Sequence, residues 1–135
     1  RYQRLTNERL PLANKFYKSQ RSPMRVGRSE QVWVAQQAEI IAACCLKPVA
    51  DGHWLSALLV AREQRQQGVA SQLLNTLRGH SQGPIWLFCA PQLLGFYQRL
   101  GFAPCPDLPG ELNERLQRYQ RKQPLLALVA AQPGG

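Results

Sequence analysis

The stretch from Trp54 to Leu77, WLSALLVAREQRQQGVASQLLNTL, does most to limit what this chain can fold into. It opens with an apolar run, Trp54 to Val60, bounded upstream by Asp51-Gly52 and too short for a buried helix by itself, which favours a strand. A polar stretch leads to Gly68, and beyond it Val69, Leu73, Leu74 and Leu77 share one face at helical spacing. The segment therefore reads as strand, tight turn, helix.

The turn carries Arg65-x-x-Gly68-x-Ala70. A helix start leaves backbone N–H groups unpaired, with the positive end of the macrodipole behind them, so it can hold a phosphate. Small residues at Gly68 and Ala70 keep side chains out of an anion's way, and Arg65 adds a positive charge at the rim. The turn is neither a P-loop nor a dinucleotide fingerprint, since GxxxxGK[ST] and GxGxxG are both absent. Taken alone, it is also compatible with a helix that simply starts at a glycine.

At 135 residues the chain is expected to form one domain, 1–131, with a frayed tail at 132–135. Hydrophobic residues at 44% and charged residues at 19% describe a globule rather than a disordered chain. No apolar run reaches membrane-spanning length. The first residue is not Met, and a trimmed or partial chain is expected. The net charge of +9 favours anionic partners, and eight of the Lys and Arg residues lie between Arg1 and Arg28 against one acid, Glu8. A second basic group is Arg115, Arg118, Arg121 and Lys122. The four cysteines, Cys44, Cys45, Cys89 and Cys105, form no CxxC pair. They read as buried apolar residues in a reducing cytoplasm, with no metal site expected.

Along the chain, Tyr2 to Leu5 reads as a first strand. Pro11 suits the first turn of a helix through about Lys18, with Leu12, Ala13 and Phe16 as its buried side. Ser19 to Ser29 reads as a loop or broken helix. Gln31 to Ala35 and Glu39 to Leu46 read as a hairpin, closed by Pro48 and Asp51-Gly52. The helix after Gly68 is expected to stop near Gly79. Ile85 to Cys89 is a continuous apolar run, as in a strand covered on both faces, and a right-handed crossover would set it parallel to the Trp54–Val60 strand. Pro91 can open a helix through Leu100, ended by Gly101. A short strand at Phe102 to Cys105, a helix at Glu111 to Lys122 and a last strand at Leu125 to Ala130 complete the reading.

A second motif is Phe96-Tyr97-Gln98-Arg99-Leu100-Gly101-Phe102. By itself it is an aromatic packing pattern at a helix end. With Arg65-x-x-Gly68-x-Ala70 upstream on a strand-turn-helix, the chain resembles the GNAT superfamily of N-acetyltransferases from about Gln31 to Cys105. The resemblance implies an α/β fold: a single domain with a mixed, mostly antiparallel sheet, two splayed parallel central strands and flanking helices. It implies acetyl-coenzyme A as cosubstrate, with Leu58 and Val60 pairing with the pantetheine arm. Arg65, Gln66, Gln67, Gly68, Val69 and Ala70 would cradle the pyrophosphate, with Ser71 reaching a phosphate. Tyr97 falls where the family often has its general acid. An ordinary phenol, with pKa about 10, keeps its proton at neutral pH and can give it to a departing thiolate.

The sequence departs from the family pattern in three places. Trp54 to Ala61 holds no Glu or Asp to act as base, which leaves His53, Ser56 or a water chain as alternatives. Ala90-Pro91 stands where an asparagine is frequent, and Arg62 where a proline is common. The expected activity is acetyl transfer to a primary amine of a small molecule or protein by direct attack. The basic Ser19–Ser29 segment leans the acceptor towards negative charge. Two other readings come from different classes: a non-catalytic acyl-CoA-binding module acting on a protein partner, and nucleic-acid binding through the basic helix. The latter ranks last, since Tyr119 is the one interleaved aromatic. No membrane partner is expected, and the expected assembly is a monomer or homodimer.

Overall fold

The structure, a computed structural model, describes residues 1–131. The tail expected at 132–135 lies outside the described residues. In chain order the strands are β1 (Tyr2–Arg4), β2 (Gln31–Gln36), β3 (Ile40–Val49), β4 (Gly52–Val60), β5 (Ile85–Cys89), β6 (Ala103–Pro104) and β7 (Leu126–Ala130). The α-helices are α1 (Leu10–Ser19), α2 (Val69–His80), α3 (Leu94–Arg99) and α4 (Gly110–Gln120). One mixed sheet takes the strands in the order β1-β2-β3-β4-β5-β7-β6. The parallel pair is β4 with β5, registered at His53↔Ile85 and Trp54↔Trp86. β1/β2, β2/β3, β5/β7 and β6/β7 are antiparallel.

The chain divides into two compact units, one of Arg1–Lys47 with Leu55–Ser81, the other of Pro48–Trp54 with the chain from Gln82 onward. In the first, Ala13, Phe16 and Tyr17 of α1 meet Val32, Val34, Ala43 and Cys45 of β2 and β3, with Ala57 and Leu59 of β4 packed alongside. Helix α1 was expected to bury Leu12; that residue is 43% exposed and Tyr17 is fully buried in its place. The helix is rotated because the tyrosine hydroxyl finds a partner inside the core, which removes the cost of burying it.

The second unit is built on β5, whose Ile85, Trp86, Leu87 and Cys89 are all buried, as its continuous apolar run requires. Trp54, Trp86, Val49 and Leu112 form the centre of its core. Helix α4 is basic, yet it is held by aromatic contacts: the Arg115 guanidinium lies 4.4 Å from the centre of the Trp54 ring, and Tyr119 meets Phe88 edge-on at 6.1 Å. These residues and Leu112 recur at helical spacing, so one face of α4 lies against the core, with Leu112 buried and Tyr119 at its exposed edge.

Element boundaries fall within a few residues of expectation. Helix α2 stops at His80, next to the expected Gly79, where the Ser81 hydroxyl donates to the Leu77 carbonyl (2.7 Å) and His80 Nδ1 bonds the Thr76 carbonyl (2.9 Å), occupying the last-turn acceptors. β3 extends through Pro48, an exposed position near the strand's end where a missing N–H costs little. The helix expected from Pro91 begins as a 3-10 turn, Pro91–Leu93, before α3.

β4 and β5 start where Asp51-Gly52 and Gly83-Pro84 touch. The His53 N–H donates to the Pro84 carbonyl at 2.9 Å. A Cβ on Gly52 would lie 2.0 Å from that same oxygen. Gly52→Ala should therefore destabilise the fold by about 1–3 kcal/mol, the usual range for forced overpacking, and lower the midpoint of thermal unfolding. An unchanged midpoint would show that the two backbones do not need to meet so closely.

Candidate functional site

The turn between β4 and α2 is pinned at its entry by main-chain bonds. The Ala61 N–H donates to the Ile41 carbonyl (2.7 Å), and Arg62–Gln64 form a 3-10 turn. The Gln20 side chain accepts from the Arg62 N–H at 3.2 Å. Two left-handed residues then reverse the chain, Gln66 at φ 64° and Gly68 at φ 77°. For a residue with a Cβ such as Gln66 this conformation costs roughly 1–3 kcal/mol and persists when the surrounding structure demands it.

Gly68 is the N-cap of α2, and no side chain caps the helix. The first turn holds no acidic residue, while Arg78 and His80 sit in the last. The first N–H to find a carbonyl within the helix is that of Gln72, which donates to Gly68 (3.0 Å). A left-handed residue followed by a helical one turns successive amides towards one point, an arrangement suited to anions. A Cβ placed on Gly68 would meet nothing within 4 Å. The position such a Cβ would take is open, so the glycine answers to its backbone conformation and not to a packed neighbour.

The other expected cradle residues fall around this point. Arg65, Gln66, Gln67 and Gly68 are exposed, Ala70 and Ser71 half-buried, and Val69 is buried as the first anchor of the helix. The Arg65 side chain folds back, its Nε donating to the Val60 carbonyl at 3.1 Å. This places a cation at the end of β4. It also engages the carbonyl of Val60, one of the two strand positions expected to meet a ligand. Leu58 and Val60 are half-buried and lie outside the core cluster that Ala57 and Leu59 join.

One feature of β4 had no counterpart in the sequence. Ala57, within the strand, has φ 57°, and its carbonyl accepts a 2.7 Å bond from the Tyr17 hydroxyl. Burial, and after it the neighbouring Cys45 and Cys44 thiols, push the Tyr17 phenol far above its usual range, so it remains a donor. Cys45 is itself pushed up to about 12, by burial first and then by the charge of Glu30. Burial likewise raises Cys44. Both remain thiols near neutral pH, as residues of the core rather than nucleophiles.

In the second unit Tyr97 is 8% exposed. Its ring meets Phe96 edge-on at 5.0 Å and Phe102 at 5.8 Å. The Gly101 N–H donates to Gln98 and the Phe102 N–H to Tyr97, with Gly101 at φ 95°. This is the Schellman closure of α3, completed by the contact between Tyr97 and Phe102. His53 is half-buried at the start of β4, paired with Ile85. Its Nδ1 has no hydrogen-bond partner among the described residues. Ser56 is half-buried further along the strand.

A cavity of about 250 Å³ lies between α1 and the β2–β3 turn, with Phe16 and Ile40 among its apolar walls and Lys15 and Glu39 among its charged ones. It includes none of the cradle residues. Among the described residues no cluster of His, Cys, Asp or Glu could hold a metal ion, and no helix is long and apolar enough to cross a membrane.

A sequence model described as an acetyltransferase (GNAT) domain matches residues 28–104. No curated protein matches the chain. Among solved structures, it is similar to Tetrahymena GCN5, with TM-score 0.72 and 15% identity over 98% of this chain and 96% of that one. It is also similar to the ribosomal-protein-S18-alanine N-acetyltransferase of Escherichia coli (TM-score 0.66, 15% identity, 100% and 95% covered). A third structure is Rv2747 of Mycobacterium tuberculosis in complex with CoA and NLQ (TM-score 0.68, 11% identity, 97% and 98% covered). At these identities the likeness is one of fold.

Proposed function

Since the chain belongs to the GNAT acetyltransferase family, we propose that it is an acetyl-coenzyme A-dependent N-acetyltransferase whose acceptor is a primary amine of a small molecule or protein. The observation that carries this reading is the start of α2: uncapped, free of acids, and open in front of a left-handed Gly68. Such a terminus suits a pyrophosphate. The similar Rv2747 structure, solved with CoA, supports the choice of anion.

In this reading the amides from Gly68 to Ser71 hold the pyrophosphate. Arg65 adds charge through the guanidinium N–H groups not bonded to Val60. The backbone of β4 at Leu58 and Val60 pairs with the pantetheine arm. Acetyl-coenzyme A supplies an acetyl thioester: the amine nitrogen bonds to its carbonyl carbon, negative charge gathers on the carbonyl oxygen, and the C–S bond then breaks. A main-chain N–H of β4 stabilises that oxygen. The Tyr97 hydroxyl gives its proton to the sulfur. The surplus amine proton leaves to water, to His53 or to Ser56. Arg21, Arg25 and Arg28 are exposed on the loop between α1 and β2 and favour an acceptor carrying negative charge. Residues 1–131 act together as one acetyltransferase domain.

The alternative, a non-catalytic acyl-CoA-binding module, needs the cradle but no acid. The packing of Tyr97 between Phe96 and Phe102 is the observation in its favour.

Replacing Gly68 by Leu adds a bulky side chain at the helix start and strains a left-handed backbone. Titration calorimetry with acetyl-coenzyme A should show affinity falling by about tenfold to a hundredfold, the worth of one or two charge-assisted hydrogen bonds. A Gly68→Leu protein that binds as tightly as wild type would remove the cradle from this turn. A wild type that binds no coenzyme A would remove the whole reading.

Turnover separates enzyme from module. Across a panel of amines with acetyl-coenzyme A, followed by release of free thiol, Tyr97→Phe should lower kcat by about a hundredfold, the lower end for a positioned acid. Coenzyme A affinity should hardly change, because the hydroxyl acts as charge develops on sulfur. If the Phe variant is fully active and the Ala variant alone fails, Tyr97 is a packing residue.

A further inference from the structure

Tyr17 is fully buried on α1, and its hydroxyl is spent on one main-chain atom, the carbonyl oxygen of Ala57 at 2.7 Å. That carbonyl belongs to an unusual residue. Among the described residues, five other than glycine have positive φ; Arg21, Ser29, Ala50 and Gln66 lie in turns, and Ala57 alone lies within a strand. Side chains with a Cβ resist this conformation. It survives where neighbouring contacts over-determine it.

The bond to Tyr17 fixes more than Ala57. No cis peptide bond occurs among the described residues. The Ala57–Leu58 peptide is therefore planar and trans, and its C=O and N–H point in opposite directions. Its oxygen faces the Tyr17 hydroxyl on α1, and the same hydroxyl lies 3.9 Å from Cys45 Sγ on β3. The N–H of Leu58 is consequently turned away from the Tyr17 hydroxyl.

We propose that Tyr17 is a positioning residue for acetyl transfer: by holding the carbonyl end of the Ala57–Leu58 peptide, its hydroxyl aims the Leu58 N–H at the acetyl oxygen. This role rests on the function proposed above, in which a main-chain N–H of β4 stabilises the charge on that oxygen. A donor on the carbonyl also polarises the peptide and makes its N–H a stronger donor. Tyr17 touches neither substrate nor reacting atom; it acts through one planar group.

The test uses a ketone analogue of acetyl-coenzyme A in which a methylene replaces the sulfur, carrying ¹³C at the carbonyl. Infrared difference spectra report the hydrogen bond to that carbonyl without turnover. Bound to wild type, the carbonyl stretch should move to lower frequency than in water. In Tyr17→Phe most of that displacement should vanish while the affinity for the analogue stays close to wild type. With an active acceptor, kcat should fall about tenfold, less than the 10²–10³ for outright loss of an oxyanion donor. Adding Ala57→Gly to Tyr17→Phe should restore part of the displacement, because glycine adopts φ 57° freely. A merely structural bond would lower thermal stability and leave the carbonyl stretch alone. Should Tyr17→Phe fail to fold, 3-fluorotyrosine at position 17 retains the hydroxyl and strengthens it as a donor. The displacement should then deepen, and an unchanged spectrum overturns the role. A wild type that does not bind the analogue overturns the acetyl-coenzyme A reading and this role with it. A wild type that binds with a displaced stretch that Tyr17→Phe retains overturns the role of Tyr17 alone.

Discussion

A helix cannot begin without leaving amides unpaired, and α2 begins with no side chain of its own to cap them. Most helix starts relieve this with Ser, Thr, Asp or Asn, a contact worth about 1 kcal/mol. Here the N-cap is Gly68, and two residues before it Gln66 carries its own backbone strain. The local chain is thus less stable than it could be by roughly 1–3 kcal/mol, nearly all of it from Gln66, since glycine at the N-cap gives up only a few tenths. Val69, Leu73, Leu74 and Leu77, all buried, offset that cost. Full burial of such side chains contributes about 1.5–3 kcal/mol each. Packing on one face of α2 holds its other end in a conformation that local preference would reject.

That division explains which parts of the molecule the sequence could show. The burial of Val69, Leu73, Leu74 and Leu77 appears as apolar spacing, and the left-handed N-cap appears as a glycine. The closure of α3 was visible because Gly101 follows Leu100 directly and Phe102 supplies the apolar contact. The end of α2 near Gly79 was also legible, and the side-chain bonds of His80 and Ser81 close it at His80, one residue further on. The buried face of α1 is not legible in the sequence, because Leu12 and Tyr17 both fit a helical stripe and the partner that decides between them, Ala57, lies forty residues beyond Tyr17. The bend at Ala57 leaves no trace in the sequence: alanine is ordinary in a strand, and tertiary contacts set its φ.

Helix α4 shows the same limit from another side. Its charge pattern suggested a solvated or anion-facing helix, yet Arg115 stacks on the buried ring of Trp54 and Tyr119 on Phe88. A guanidinium over an indole contributes about 0.5–2 kcal/mol, more as it loses water. The same contact shields Trp54, whose Nε1 has no hydrogen-bond partner among the described residues. The four basic residues therefore do not share one role, and Arg115, half-buried, covers the core of its unit.

The pairing of Tyr17 with Ala57 remains the arrangement that stability alone least explains. A phenylalanine at 17 and a regular strand at 57 would fill nearly the same volume and strain nothing. The hydroxyl and the carbonyl each cost about 1–3 kcal/mol if buried alone, so neither can be lost without the other becoming a liability. Together they contribute a net stabilisation of only about 0.5–1.5 kcal/mol, against roughly 1–3 kcal/mol of backbone strain at Ala57. The balance is close to zero or unfavourable. What the pair does supply is direction: it fixes how the 57–58 peptide faces, on the strand whose main chain the proposed chemistry uses. A core that gives up stability to orient one peptide group is better understood from what that group must meet than from the packing around it.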